Sequence, residues 1–195
     1  MSVIETTRVP LNLNSEELQS DRSERSVAIE FEMQEQCHSN WCWAAVAASV
    51  ATYYNQGRAI RQCEVADLDL KRNDCCQHPC GEEGVDFNVT NVLASPLNRL
   101  RCLERFARTK RATHREVLEE LAAGRALCAR TVWRNGGAHF VTIVGYSPDT
   151  EETGMLVVDD PFWGRSEHSY DGFAEHYQLF GGKWSDTYFT KRPRG

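Results

Sequence analysis

Residues 41–54, WCWAAVAASVATYY, restrict the fold open to this chain more than any other stretch. Alanine leads the helix-propensity scale, and side chains this small let a neighbouring element approach the helix closely. The segment reads as a buried central helix that the rest of the molecule must cover. Just ahead lies QCHSN, so a glutamine, two cysteines, a histidine and two tryptophans crowd the helix start. Asn40 is placed to cap the helix, with Trp41, Cys42 and Trp43 in its first turn.

The remaining pattern supplies the cover. SVAIEFEM (26–33) alternates Val27, Ile29, Phe31 and Met33 with polar residues, the period of a half-buried strand. VTNVLASPLNRL reads as a short helix interrupted at Pro96. Thr113 followed by Glu116 is a capping-box pattern opening a helix with Val117, Leu118 and Leu121 as its apolar stripe, and Gly124 suits its end. ALCARTVW (126–133) reads as a strand and Gly136-Gly137 as a turn. AHFVTIVGY (138–146) and GMLVVDD (154–160) then form a hairpin around SPDTEET, closed by Pro161. The tail GGKWSDTYFTKRP offers one more strand with Trp184, Tyr188 and Phe189. Helices first and an antiparallel sheet after them is an α+β layout.

One domain is the default for 195 residues, with a polar arm or pro-segment over 1–25 and the folded domain over 26–195. No apolar run is long enough to span a bilayer, so no membrane partner is expected. A net charge of −6 argues against nucleic acid, whose phosphates favour a basic surface. The first residues lack a basic region followed by an apolar one, so the expected location is cytoplasmic, or outside the cell by a route without a cleaved signal. A monomer is expected.

Eight cysteines exceed what an ordinary cytosolic domain carries. Cys63, Cys75, Cys76, His78 and Cys80 admit disulfides such as Cys63 to Cys75 or Cys76, reduced packing thiols, or zinc. The paired C-x-x-C knuckles of a zinc site are missing, and no metal or organic cofactor is expected. Cys37 reads as a loop residue or disulfide partner, and Cys102 and Cys128 are left open between the same states.

A thiol becomes a nucleophile when its thiolate is stabilised, by a helix N-terminus and more strongly by an imidazolium. Cys42 has the helix position and Cys37 does not. Of six histidines, His139 opens a strongly patterned strand after a glycine pair, where its ring can stand at the sheet's edge. The partner strand ends in Asp159-Asp160, and since neighbours point to opposite faces only one can share a face with His139. Gln36 brings a side-chain amide beside the nucleophile's own N–H, two donors for a developing oxyanion. Trp43 reads as a cleft-wall or core residue. Trp163 and Trp184 either line a substrate groove or are buried. His38 and His114 read as surface residues, the latter on a helix first turn.

Gln36, five residues, then Cys42-Trp43-Ala44 at a helix start resembles the nucleophile region of papain-like cysteine proteases. LAAGRALCARTVWRNGGAHFVTIVGY followed by LVVDDP is similar to the small bacterial branch of that clan, which holds double-glycine leader peptidases and papain-like effector proteases of plant pathogens. The resemblance spans roughly 30–190, the chain lacking papain's second lobe and carrying its own cysteine-rich middle. It implies a central helix packed on an antiparallel sheet, Cys42 as nucleophile, His139 as base then acid, and Gln36 as oxyanion donor. The orienting carboxylate precedes a proline in that branch, which here is Asp160, with Asp159 as fallback. It further implies a protein or peptide substrate, a thioester acyl-enzyme, and service as a processing protease or secreted effector. A non-catalytic binding module on the same scaffold, or a transamidase using the same triad, are the rival readings.

Overall fold

The computed structural model describes residues 26–55, 58–147 and 154–194; the 1–25 arm and the tip of the hairpin loop lie outside them. Helix α1 (Cys42–Tyr54) is buried on every side of its first ten residues. Five alanines there leave room for neighbours to pack against its backbone, as the sequence requires. Asn40 does not cap it. The cap position is Trp41, with no side-chain cap bond, because Asn40 is bound on both sides to Asn88. Its backbone N–H donates to Asn88 Oδ1 at 3.0 Å and its Nδ2 to the Asn88 carbonyl at 2.9 Å.

The cysteine-rich middle is more ordered than its sequence suggests. It holds α2 (Gln62–Leu70), a 3-10 turn at Cys75–Gln77, and α3 (Ala94–Arg99), with Pro96 accommodated inside the first turn of α3. Two disulfides fasten it, Cys63 to Cys76 and Cys37 to Cys80. The second ties the loop before α1 to the loop that faces it. Cys42, Cys75, Cys102 and Cys128 are free and buried.

Among the described residues seven strands form one antiparallel sheet. These are β1 (Val27–Ala28), β2 (Leu103–Ala107), β3 (Leu127–Val132), β4 (Ala138–Ser147), β5 (Met155–Asp160), β6 (Gly164–Ser169) and β7 (Lys183–Thr190). Their order is β2-β7-β3-β4-β5-β6, and β1 pairs with β4 beyond the end of β3. The expected strand over 26–33 is therefore a two-residue ladder, although burial keeps alternating to Met33: Phe31 is buried while Glu30 and Glu32 are exposed. Strands β2 and β6 have no apolar alternation to announce them, since LERFA and GRSEHS carry mostly exposed or half-exposed side chains.

The sheet is covered on both faces. Phe140, Val144, Cys128 and Tyr188 meet α1, α2 and α3 in one core. Val141, Ile143, Leu156, Val158 and Phe189 meet α4 (His114–Ala122) and α5 (Tyr170–His176) in the other. Two-sided burial is why β4 reads as a nearly unbroken apolar run. Helix α4 has the expected capping box: Thr113 accepts from Glu116 N–H, and Glu116 accepts from Thr113 N–H at 2.9 Å. Gly124 ends it with a φ of 68°. His114 is not solvated as expected; its ring stacks on Tyr170 at 3.8 Å and meets the Tyr146 hydroxyl. Trp184 packs in the α5-side core rather than in a groove.

Candidate active site

The start of α1 reaches the end of the sheet where β4 begins, so Cys42 and His139 face each other across one cleft. Gln36, Asn40, Trp43, Asn91, Val92, Arg130, Trp133 and Trp163 complete much of its lining. Its volume of about 760 Å³ suits a short run of peptide, within the ~300–1,000 Å³ common for ligand sites.

Strand register sets which of the two aspartates shares a face with His139. Thr142 stands opposite Asp159, which sets Asp160 opposite Val141, on the face that His139 shares. Asp160 Oδ1 lies 2.9 Å from His139 Nε2. Asp159 points to the other face and is held by Arg165 through both its oxygens, at 2.6 and 2.8 Å. With Nε2 committed to the carboxylate, Nδ1 is the ring nitrogen left for the thiol, and Cys42 lies close enough to the ring to raise its pKa.

Burial alone would lower the His139 pKa, but hydrogen bonds and charge from Asp160 and Cys42 outweigh it and lift the value to about 9. Burial pushes Asp160 the other way from its partners, yet His139, the Tyr177 hydroxyl and the Trp163 amide together hold it below the ordinary carboxylate value. An imidazolium beside an ionised carboxylate is the state this geometry favours. The ring is also clamped by aromatic faces, Trp133 roughly parallel at 6.2 Å and Trp163 edge-on at 5.2 Å. Asp160 further accepts from the Phe162 and Trp163 amides, so one side chain both shapes the β5–β6 turn and holds the histidine.

Gln36 is brought to the cleft with its backbone N–H on the Pro161 carbonyl at 2.8 Å. Its side-chain Nε2, however, donates to the His38 and Ser39 carbonyls, both at 3.0 Å, leaving Oε1 buried and unpartnered among the described residues. The amide cannot be turned over, since its oxygen would then face two carbonyls. Among the described residues no acceptor meets the Cys42 amide. Trp43 is fully buried, and its indole N–H donates to the Val89 carbonyl at 3.0 Å. Trp163 keeps 39% of its surface exposed at the cleft mouth. His38, expected at the surface, is instead packed between Trp41 and Phe87.

The family model of the papain-like cysteine protease AvrRpt2 (Peptidase_C70) matches residues 23–178. The chain belongs to that family. It is a papain-like cysteine peptidase, a hydrolase acting on proteins or peptides. No curated protein sequence matches it. Solved structures similar to the peptidase include bromelain from Ananas comosus in complex with the E64 inhibitor, at 13% identity and TM-score 0.44, covering 85% of this chain and 98% of that one. A recombinant stem bromelain precursor shows 13% identity and TM-score 0.49, covering 93% and 74%. The proform of the ragweed pollen allergen Amb a 11, a cysteine protease, shows 12% and 0.47, covering 92% and 68%. These likenesses are distant, and the assignment rests on the family match.

Sequence reasoning missed three supports of the peptidase's site. Trp133 and Tyr177 lie against His139 and Asp160 from separate elements. The 87–92 segment is stitched to the helix start through Asn88, Phe87 and Val89. None carries a local signal, because each acts through a partner distant in sequence. No helix among the described residues is long and apolar enough to cross a membrane.

Proposed function

We propose that the peptidase hydrolyses peptide bonds through Cys42, His139 and Asp160, by way of a thioester on Cys42. The observation that supports this most is the single line of contact from Asp160 through His139 to Cys42, opening into a peptide-sized cleft. The Cys42 sulfur attacks the substrate carbonyl carbon, its proton residing on His139 Nδ1. The Cys42 N–H holds the resulting oxyanion, and Gln36 adds a second donor by releasing the Ser39 carbonyl. His139 Nδ1–H then protonates the leaving amine as the C–N bond breaks. Water, deprotonated by the same nitrogen, attacks the thioester and frees the carboxylic acid and the thiol. Asp160 stays ionised and keeps the Nε2 proton in place throughout.

Trp43 forms the base of the cleft wall and Trp163 its exposed rim, where an apolar substrate side chain would lie. Two disulfides in a chain of this size favour export over cytoplasmic retention, because reducing compartments keep such thiols free. A peptide-library digest tests the reading, run with mild reductant, with and without chelator, and with an added primary amine. Cleavage is expected at new free carboxyl termini regardless of chelator. No cleavage would overturn the reading, and amine-capped termini alone would replace hydrolysis by acyl transfer.

A further inference from the structure

We infer that Tyr177 is a positioning residue for the reaction, extending the line of contact to Cys42, His139, Asp160 and Tyr177; the inference rests on the triad proposed above. Tyr177 follows directly on α5 and donates its hydroxyl to Asp160 Oδ2 at 2.7 Å. Among the described residues the other three bonds to this carboxylate, from His139 and the Phe162 and Trp163 amides, all fall on Oδ1. Oδ2 therefore has Tyr177 as its partner, and the Asp160 side chain is 0% exposed. A buried carboxylate oxygen with no donor is costly, and the group escapes that cost by rotating or by taking a proton. Either response disturbs the Oδ1 that His139 depends on.

The surroundings fix the tyrosine as firmly as it fixes the aspartate. Its ring is fully buried, with Phe173 at 5.0 Å, His168 at 5.2 Å, and Trp133 roughly parallel at 6.3 Å. Its backbone is bridged to Gly182 in both directions, at 2.8 and 2.7 Å. Gly182 is needed there: a Cβ on it would come within 2.5 Å of the Trp133 ring, the same ring that lies over His139. Phenylalanine would fill the apolar pocket equally well, so what tyrosine adds is the hydroxyl. Burial and the adjoining carboxylate both raise its pKa, so it keeps its proton and acts as a donor. The titratable groups about Asp160 are His139 from β4 and Tyr177 itself, with Cys42 from α1 and His168 from β6 one contact further out.

The test compares Tyr177→Phe with wild type and Cys42→Ala on one peptide substrate across pH, with circular dichroism to check the fold. For Tyr177→Phe, kcat is expected to fall about tenfold or more, with KM within about twofold. The acidic limb of kcat/KM is expected at higher pH, because Asp160 loses a bond to its charged form. A purely structural role would not move that limb. Should phenylalanine prevent folding, 3-fluorotyrosine installed at 177 keeps the shape and donates more strongly, and the limb is expected at lower pH. A dead Cys42→Ala beside a Tyr177→Phe with wild-type kcat and an unmoved limb overturns the inference alone, as does an unmoved limb with 3-fluorotyrosine. Activity surviving in Cys42→Ala overturns the triad, and this inference with it.

Discussion

Replacing Cys42 with alanine is expected to abolish peptide hydrolysis and leave the fold intact. A missing nucleophile costs on the order of 10⁵- to 10⁶-fold in kcat, and what remains comes from binding and oxyanion donors alone. Cys42 is the first residue of α1 and its side chain lines the cleft, so alanine removes no helix propensity and opens no sealed cavity. No other thiol can stand in. Burial pushes Cys75 to about 12, Cys102 to about 11 and Cys128 to about 12, leaving each protonated at neutral pH. Initial rates on a single peptide, paired with urea melts of both proteins, check this. A Cys42→Ala protein retaining a tenth of wild-type activity would be incompatible with the mechanism.

Trp43→Ala is the complementary case, a large loss of stability from a residue that carries no charge. Trp43 is fully buried in the α1-side core, and truncating such a ring costs about 3–5 kcal/mol. The Val89 carbonyl also loses its indole donor, at 3.0 Å. Its neighbour Trp41 makes the matching bond to the Phe87 carbonyl, so the two indoles together fasten the 87–92 wall to the helix start. Trp43→Phe keeps most of the packing and loses the bond, and should cost about 1 kcal/mol beyond the lost area. Denaturant midpoints for the three proteins separate the packing and hydrogen-bond contributions. If Trp43→Ala unfolds within about 1 kcal/mol of wild type, the wall is held by something other than these tryptophans.

The elements with strong local periodicity were legible from sequence: the alanine-rich α1, the capped α4, the apolar β4 and its partner β5. Those that failed were settled by remote partners. Asn40 has the chemistry of a cap, but its backbone N–H and its Nδ2 are tied to Asn88, forty-eight positions on, and the cap position falls on Trp41. His38 looks solvated until Trp41 and Phe87 close over it. The polar edge strand β6 is built by pairing with β5 rather than by its own side chains. At the site, parity alone could not choose between Asp159 and Asp160, because it needs the strand register. The resemblance to papain-like proteases favoured Asp160, and the Thr142–Asp159 pairing places that carboxylate beside His139. Gln36 reached the cleft as its spacing to Cys42 implied, although its donors rest on its own loop. Tyr177 gave no hint, because its importance lies entirely in one hydroxyl contact across seventeen residues.

In the proposed mechanism the Cys42 sulfur carries the acyl half of the substrate. Wild-type peptidase can be mixed with an activated ester of a short peptide, quenched in acid during turnover, digested and mapped by mass spectrometry. The acyl mass is expected on the fragment containing Cys42, and is expected to be absent when that thiol has first been alkylated. Turnover with no adduct, or an adduct on any other residue, would contradict the mechanism.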